Sequence, residues 1–174
     1  LRLWDALKGS ELEFLDLRPH LKELADCNVP ETNEAFLAVR MLFVKDLIIV
    51  GIRSHNCLLA VSMTTDDGKV RFKRSATSGS GVVSGVSFKP GDRLLDCALV
   101  NYEPAESTVD VVALMEPNLR LTVWPLHIVA DKDSTSAQWG NSVDWSPLPE
   151  SLLFPDGTAS EFVIVFIIPV FFLP

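Results

Sequence analysis

Three histidines, His20, His55 and His127, are the residues of this chain best suited to hold a metal or move a proton near neutral pH. They stand far apart, and only His55 has a cysteine close by, Cys57. A structural zinc site takes four ligands, so one His–Cys pair is too few and no metal is expected. Asp131 and Asp133 could serve as paired carboxylates beside His127 if a single strand carried all three on one face. Asp131-Lys132-Asp133-Ser134 reads instead as the end of a strand and a solvated turn. The loop Ser78-Gly79-Ser80-Gly81 lacks the Gly-Lys-Ser/Thr ending and the following helix that let such loops cradle phosphate. No nucleophile, base and orienting group can be assembled, so the expectation is no enzyme, no cofactor and no small-molecule substrate.

What remains is surface. Lys69, Arg71, Lys73 and Arg74 alternate with Val70 and Phe72, which predicts a half-exposed strand with a basic face. These four cations are candidate RNA contacts, since phosphates are held by such charges. The reading that such charges favour first is the ordinary one, the guarding of a solvated sheet edge. Trp139 and Trp145 are candidate subunit-interface anchors, and Trp124 fits either a core or an anchor. The most apolar stretch runs from Phe162 to Leu173, where Phe162, Ile164, Phe166, Ile168, Phe171 and Phe172 are candidate interface residues. It is shorter than the roughly 18 residues of a spanning helix, Pro169 interrupts it, and its composition is β-branched and aromatic. It therefore predicts strands at a sheet edge or subunit contact, with no membrane partner.

At 174 residues the chain fits one domain with a sizeable core. Its formal charge of −8 and pI of about 4.8 repel nucleic acid and anionic membranes as a whole. No Lys or Arg follows Lys132. A hydrophobic fraction of 48% in so acidic a chain implies a large core or apolar surface reserved for partners. Cys27, Cys57 and Cys97 are odd in number and have no Cys-x-x-Cys spacing, so they read as small buried hydrophobes in a reducing compartment. No signal peptide is visible, and the leading Leu1 implies processing, trimming or a longer parent chain.

The elements that must position these residues are mostly strands. Leu3, Trp4 and Leu7 have helical spacing, Leu12 to Leu17 reads partly as a strand before Pro19, and His20 to Ala25 fits one helical turn. Apolar runs follow at Phe36–Val44, Leu47–Ile52 and Cys57–Met63, the last closed by Asp67-Gly68, a hairpin signal. Val82-Val83, Val86-Ser87-Phe88, Leu94–Val100, Val109–Met115 and Leu119–Val129 continue the series between turn residues, and 131–149 reads as a polar loop. The expected fold is all-β: an antiparallel β-sandwich, in jelly-roll form, with short helical turns near the N-terminus. Its parts are an arm with a first strand over residues 1–34, a jelly-roll sandwich core over 35–130, and a loop with apolar C-terminal strands over 131–174 that is part of the same domain or reaches to a neighbour. No internal repeat or low-complexity tract is visible.

The run Phe36-Leu37-Ala38-Val39-Arg40-Met41-Leu42-Phe43, a polar turn, Leu47-Ile48-Ile49-Val50-Gly51-Ile52 and Arg53-Ser54-His55-Asn56 resembles the early strands of jelly-roll capsid proteins of picorna-like plant viruses, the comovirus group especially. Val86 to Asp92 is similar to the family's strand and turn before the second half of the roll, and Val109–Met115 with Leu119–Val129 to its last long strand pair. The likeness spans residues 12 to 130. It implies a subunit of an icosahedral capsid that assembles through edge contacts with copies of itself or related subunits. It further implies at most a weak contact with genomic RNA, and location in the virion and, during assembly, the host cytoplasm. The alternatives are a viral movement or matrix-type β-sandwich and a cellular β-sandwich adaptor that binds a protein partner.

Overall fold

The computed structural model describes residues 1–24, 38–116, 119–131 and 134–145. Strands β1 (Arg2–Asp5) and β2 (Ser10–Phe14) form an antiparallel hairpin. The helical spacing of Leu3, Trp4 and Leu7 is thus not used. The Asp5 carboxylate accepts the Leu7 and Lys8 N–H groups and turns the chain back, leaving Leu7 at the tip. Helix α1 (Arg18–Leu24) follows, with the Asp16 carboxylate accepting the Arg18 N–H at its start. Pro19, read from sequence as a break, sits in the first turn, where a missing N–H costs nothing.

Two antiparallel sheets make the body. The first contains β3 (Ala38–Val44), β4 (Leu47–Ile52), β5 (Cys57–Asp66), β6 (Lys69–Phe72) and β7 (Val83–Ser87), in the order β3-β4-β5-β6 with β7 also on β5. The second contains β8 (Arg93–Glu103), β9 (Thr108–Glu116), β10 (Arg120–Asp131), β11 (Ser134–Trp139) and β12 (Val143–Trp145), in the order β8-β9-β10-β11 with β12 also on β10. Asp67 and Gly68 both take positive φ, as a two-residue hairpin turn requires.

The sheets pack face to face. Leu47, Ile49, Leu58 and Ala60 point at the second sheet and meet Val109, Val111, Ala113 and Met115 there. The opposite face of β4 and β5, carrying Ile48, Val50, Leu59 and Val61, is closed by Leu15 and Leu21 from the N-terminal arm. Both strands are therefore buried on both faces, which is why Leu47–Ile52 reads as a continuous apolar run.

The two sheets repeat one plan. Leu47 pairs with Ser62 and Ile52 with Cys57; Asp110 pairs with Pro125 and Met115 with Arg120, a constant displacement of 63 positions, as from 47 to 110 and from 57 to 120. Each third strand carries two short partners on its far edge. β6 takes the C-terminal end of β5 and β7 its N-terminal half; β11 and β12 divide β10 in the same way. Even the residue just before the third strand agrees, Asn56 and Leu119 having φ of 51° and 50°. A repeat that is invisible in the residues is thus present in the register.

One expectation changes accordingly. The polar segment after Asp131, read from sequence as a loop, supplies β11 and β12, and its strand character comes from pairing with β10 rather than from its own composition. The chain completes one meander before starting the next, whereas a jelly roll is built of Greek keys, in which a fourth strand returns beside the first. What is seen is the coarser class, an all-β, antiparallel, sandwich-like fold.

Candidate functional site

Where the β7–β8 connection passes β10 and β12, a cleft of about 330 Å³ opens. The turn at Lys89–Asp92 and the ladder register bring together four charges far apart in sequence. Arg120 Nη2 lies 2.6 Å from Asp92 Oδ2, Arg120 Nε 3.5 Å from Asp144 Oδ1, and Lys89 Nζ 4.0 Å from Asp144 Oδ2. The Thr122 hydroxyl donates to Asp144 at 2.9 Å, a pair that the β10–β12 register places face to face. Two cations and two carboxylates neutralise one another, so the cleft offers hydroxyls from Ser87 and Ser142 beside a Trp124 wall rather than a net charge. Trp124 itself is buried, tilted against Phe88 with centroids 5.0 Å apart. Sequence reasoning missed this cluster, because only pairing across two ladders makes Asp92, Arg120 and Asp144 neighbours.

The residues singled out from sequence fall elsewhere. Lys69 and Arg71 share one side of β6, opposite Asp66 and Thr64, and Lys73 follows the strand, its N–H donating to the Ser62 carbonyl. Arg74 is occupied: its guanidinium meets Glu13 Oε1 at 2.8 Å and donates to the Phe14 carbonyl at 3.0 Å, while the other Glu13 oxygen accepts the Phe72 N–H at 2.8 Å. The Ser/Gly loop is a hairpin closed by Ser75 N–H to Ser80 O and Gly79 N–H to Ser75 O.

Trp139 packs against the inter-sheet core and is only partly exposed, so it is not a free anchor. Trp145 pairs through its backbone with Leu121. Phe162, Ile164, Phe166, Ile168, Phe171 and Phe172 lie outside the described residues, as do Cys27 and Asp133.

His20 lies in α1 and His127 on the exposed side of β10. His55 accepts or donates at Nδ1 with the Ser54 hydroxyl, and partial burial lowers its pKa. Burial pushes both described thiols, Cys57 and Cys97, up to about 12, so each stays protonated and unreactive as a small core residue. Among the described residues no three His, Cys, Asp or Glu side chains converge on a metal-sized site. No described helix is long and apolar enough to cross a membrane.

The third feature is apolar surface. On β3, at the end of the first sheet, Met41 is 54% and Phe43 66% exposed. On the N-terminal hairpin Leu7 is 99% exposed, and Trp4, Leu12 and Phe14 are open as well.

Fold and surfaces together define a class, an all-β protein of two stacked antiparallel meanders with apolar edges. No protein family, curated protein or solved structure matches the chain.

Proposed function

We propose that this protein acts by association: it is a structural β protein whose copies join through the edge of β3, which has no second strand partner among the described residues, as subunits of a closed shell such as a virus coat join. The observation that carries the reading is the state of that edge. Among the described residues β3 ends its sheet with Met41 and Phe43 exposed, and its one cation, Arg40, is held by Asp96 in two bonds of 2.6 Å. Natural edges are normally guarded by free charges, and an unguarded one is a template for pairing. A second copy related by a two-fold axis would set β3 against β3 and continue the sheet across both molecules.

The likeness to capsid strands at Phe36–Asn56 supports the same reading, because that segment contains β3. The finer jelly-roll form requires strands that return beside earlier ones, so it rests on that likeness and not on the order of the described strands. Lys69, Arg71 and Lys73 supply at most a minor RNA contact in such a shell, since the chain carries −8 overall. The virion, and the host cytoplasm during assembly, are the locations this role entails.

Sedimentation of the purified protein tests the proposal. Wild type should form larger species as concentration rises, and a Met41→Lys/Phe43→Lys variant should sediment as a folded monomer. A wild type that stays monomeric up to its solubility limit would sink the idea. Salt-dependent polyanion binding by such a monomer would favour the movement or matrix-type reading.

A further inference from the structure

Five arginines of this chain, Arg2, Arg18, Arg40, Arg74 and Arg120, each donate to a carboxylate 2.5–2.8 Å away. Arg53 and Arg93 do not. Arg53 follows β4 and Arg93 opens β8, and the β8–β9 register sets Arg93 opposite Glu116. Arg53 Nη2 lies 3.9 Å, and Arg93 Nη1 3.8 Å, from one and the same oxygen, Glu116 Oε2. At those distances the charges attract one another without a hydrogen bond, which needs about 2.7–3.2 Å between nitrogen and oxygen. The carboxylate beside Arg93 in sequence, Asp92, is taken by Arg120 at 2.6 Å. Among the described residues, two guanidinium groups therefore share one carboxylate and their donor forks stay unfilled.

Burial gives this imbalance weight. The Arg53 side chain is only 28% exposed, and its Nε is cut off from water with no partner among the described residues. A cation so far removed from water needs a close, hydrogen-bonded counter-charge, and here it has a distant one. Arg93 is 62% exposed, so an anion can arrive from solvent on its side. Because both Nη atoms stand within 4 Å of one point, a single group can reach both. The guanidinium fork matches groups with several acceptor oxygens, phosphate above all, and holds them by charge-assisted bonds of about 2.7–2.9 Å. Two cations against one carboxylate leave a positive charge for such a guest, on a chain that carries −8 as a whole.

We infer that Arg53 and Arg93 form a phosphate site where β4, β8 and β9 meet their turns. The two Nη ends hold one phosphate group, and Glu116 is the internal anion that this group displaces. The phosphate is that of the free ion or of a nucleic-acid backbone. The site stands apart from the β3 edge and from Lys69, Arg71 and Lys73, so it does not depend on association between copies.

Titration of the full chain with inorganic phosphate, at an ionic strength held constant with chloride, tests the site through the arginine Nε–H signals in NMR spectra. The Arg53 and Arg93 signals should shift and saturate, while that of Arg40, held by Asp96, stays in place. Arg93→Ala should weaken phosphate binding about tenfold or more, and Glu116→Gln, which removes the competing charge, should tighten it about tenfold. Signals that do not saturate, an equal response to chloride, or a folded Glu116→Gln variant that binds no tighter would each overturn the site. Should Arg93→Ala not fold, Arg93→Lys keeps the charge and loses the fork: weaker binding supports the site and unchanged binding refutes it. A single-stranded RNA oligomer then separates the two sources. Displacement of phosphate from the two arginines assigns the site to a nucleic-acid backbone, and retention of phosphate assigns it to the free ion.

Discussion

Asn56 sits at φ 51° in the turn between β4 and β5, and its side chain reaches the connection between the two sheets. Its amide donates to the Asp92 carbonyl at 2.6 Å, its oxygen accepts the Leu94 N–H at 2.9 Å, and its own carbonyl accepts the Phe88 N–H at 3.1 Å. One residue therefore fixes where the chain leaves the first meander and enters the second. Replacing it by Ala removes two partly buried bonds worth about 1 kcal/mol each and loses the local bonding that lets Asn, whose Cβ is already present, tolerate the left-handed region, roughly 1 kcal/mol more. Asn56→Ala should lower unfolding stability in denaturant by about 3 kcal/mol, and Asn56→Gly, which relieves the backbone cost, by about 2 kcal/mol. Equal losses in the two variants would show that the backbone conformation carries no penalty. The sequence marks this position only as polar and turn-like. Asn is the residue that both tolerates positive φ and bonds in two directions, but its partners Asp92 and Leu94 are set by the packing of the sheets.

At the level of elements, legibility follows where a strand's own residues decide its state. β4 and β5 announce themselves through β-branched and aliphatic content, and Asp67-Gly68 through turn chemistry. β11, with the sequence Ser-Thr-Ser-Ala-Gln-Trp, does not, because its ladder with β10 imposes the conformation and only Ala137 and Trp139 turn toward the core. β1 misleads through a chance three-to-four spacing whose last member, Leu7, ends at an exposed hairpin tip. Two groups of β2, the Glu13 carboxylate and the Phe14 carbonyl, bond that hairpin to the body. Glu13 on β2 accepts the Phe72 N–H and pairs with Arg74, tying the arm to the end of β6. Glu13→Ala leaves the Phe72 N–H without its acceptor, at a cost of about 1–2 kcal/mol. The amide of Phe72 should exchange faster in the variant, with a lower denaturation midpoint. An unchanged rate at Phe72 would mean that water replaces the carboxylate without loss. The variant also frees Arg74, so any polyanion affinity of Lys69, Arg71 and Lys73 should rise, not fall.

At the scale of the molecule, the repeat escapes sequence inspection because equivalent positions have diverged according to what covers them. Cys57 answers to Arg120 and Leu59 to Thr122: the first pair member lies under the N-terminal arm, the second lines the charged cleft. The first hairpins differ too, a two-residue turn after Val44 against a longer one after Glu103, which breaks any constant period along the chain. What the two meanders share is a common interface, and Gly51 lies in it. A Cβ there would stand 2.9 Å from Cys97 Sγ, 3.1 Å from a Val39 methyl and 3.2 Å from a Leu94 methyl, so side chains of both sheets would have to give way. Gly51→Val should cost about 1–3 kcal/mol through overpacking. The pattern of loss is more informative than its size. If the layers stabilise each other through this face, amides of β4 in the first sheet and β9 in the second should lose exchange protection together and in equal measure. Loss confined to β4 would mean that the second sheet stands without the first, and that the stack is two independent units joined only by the Lys89–Asp92 turn.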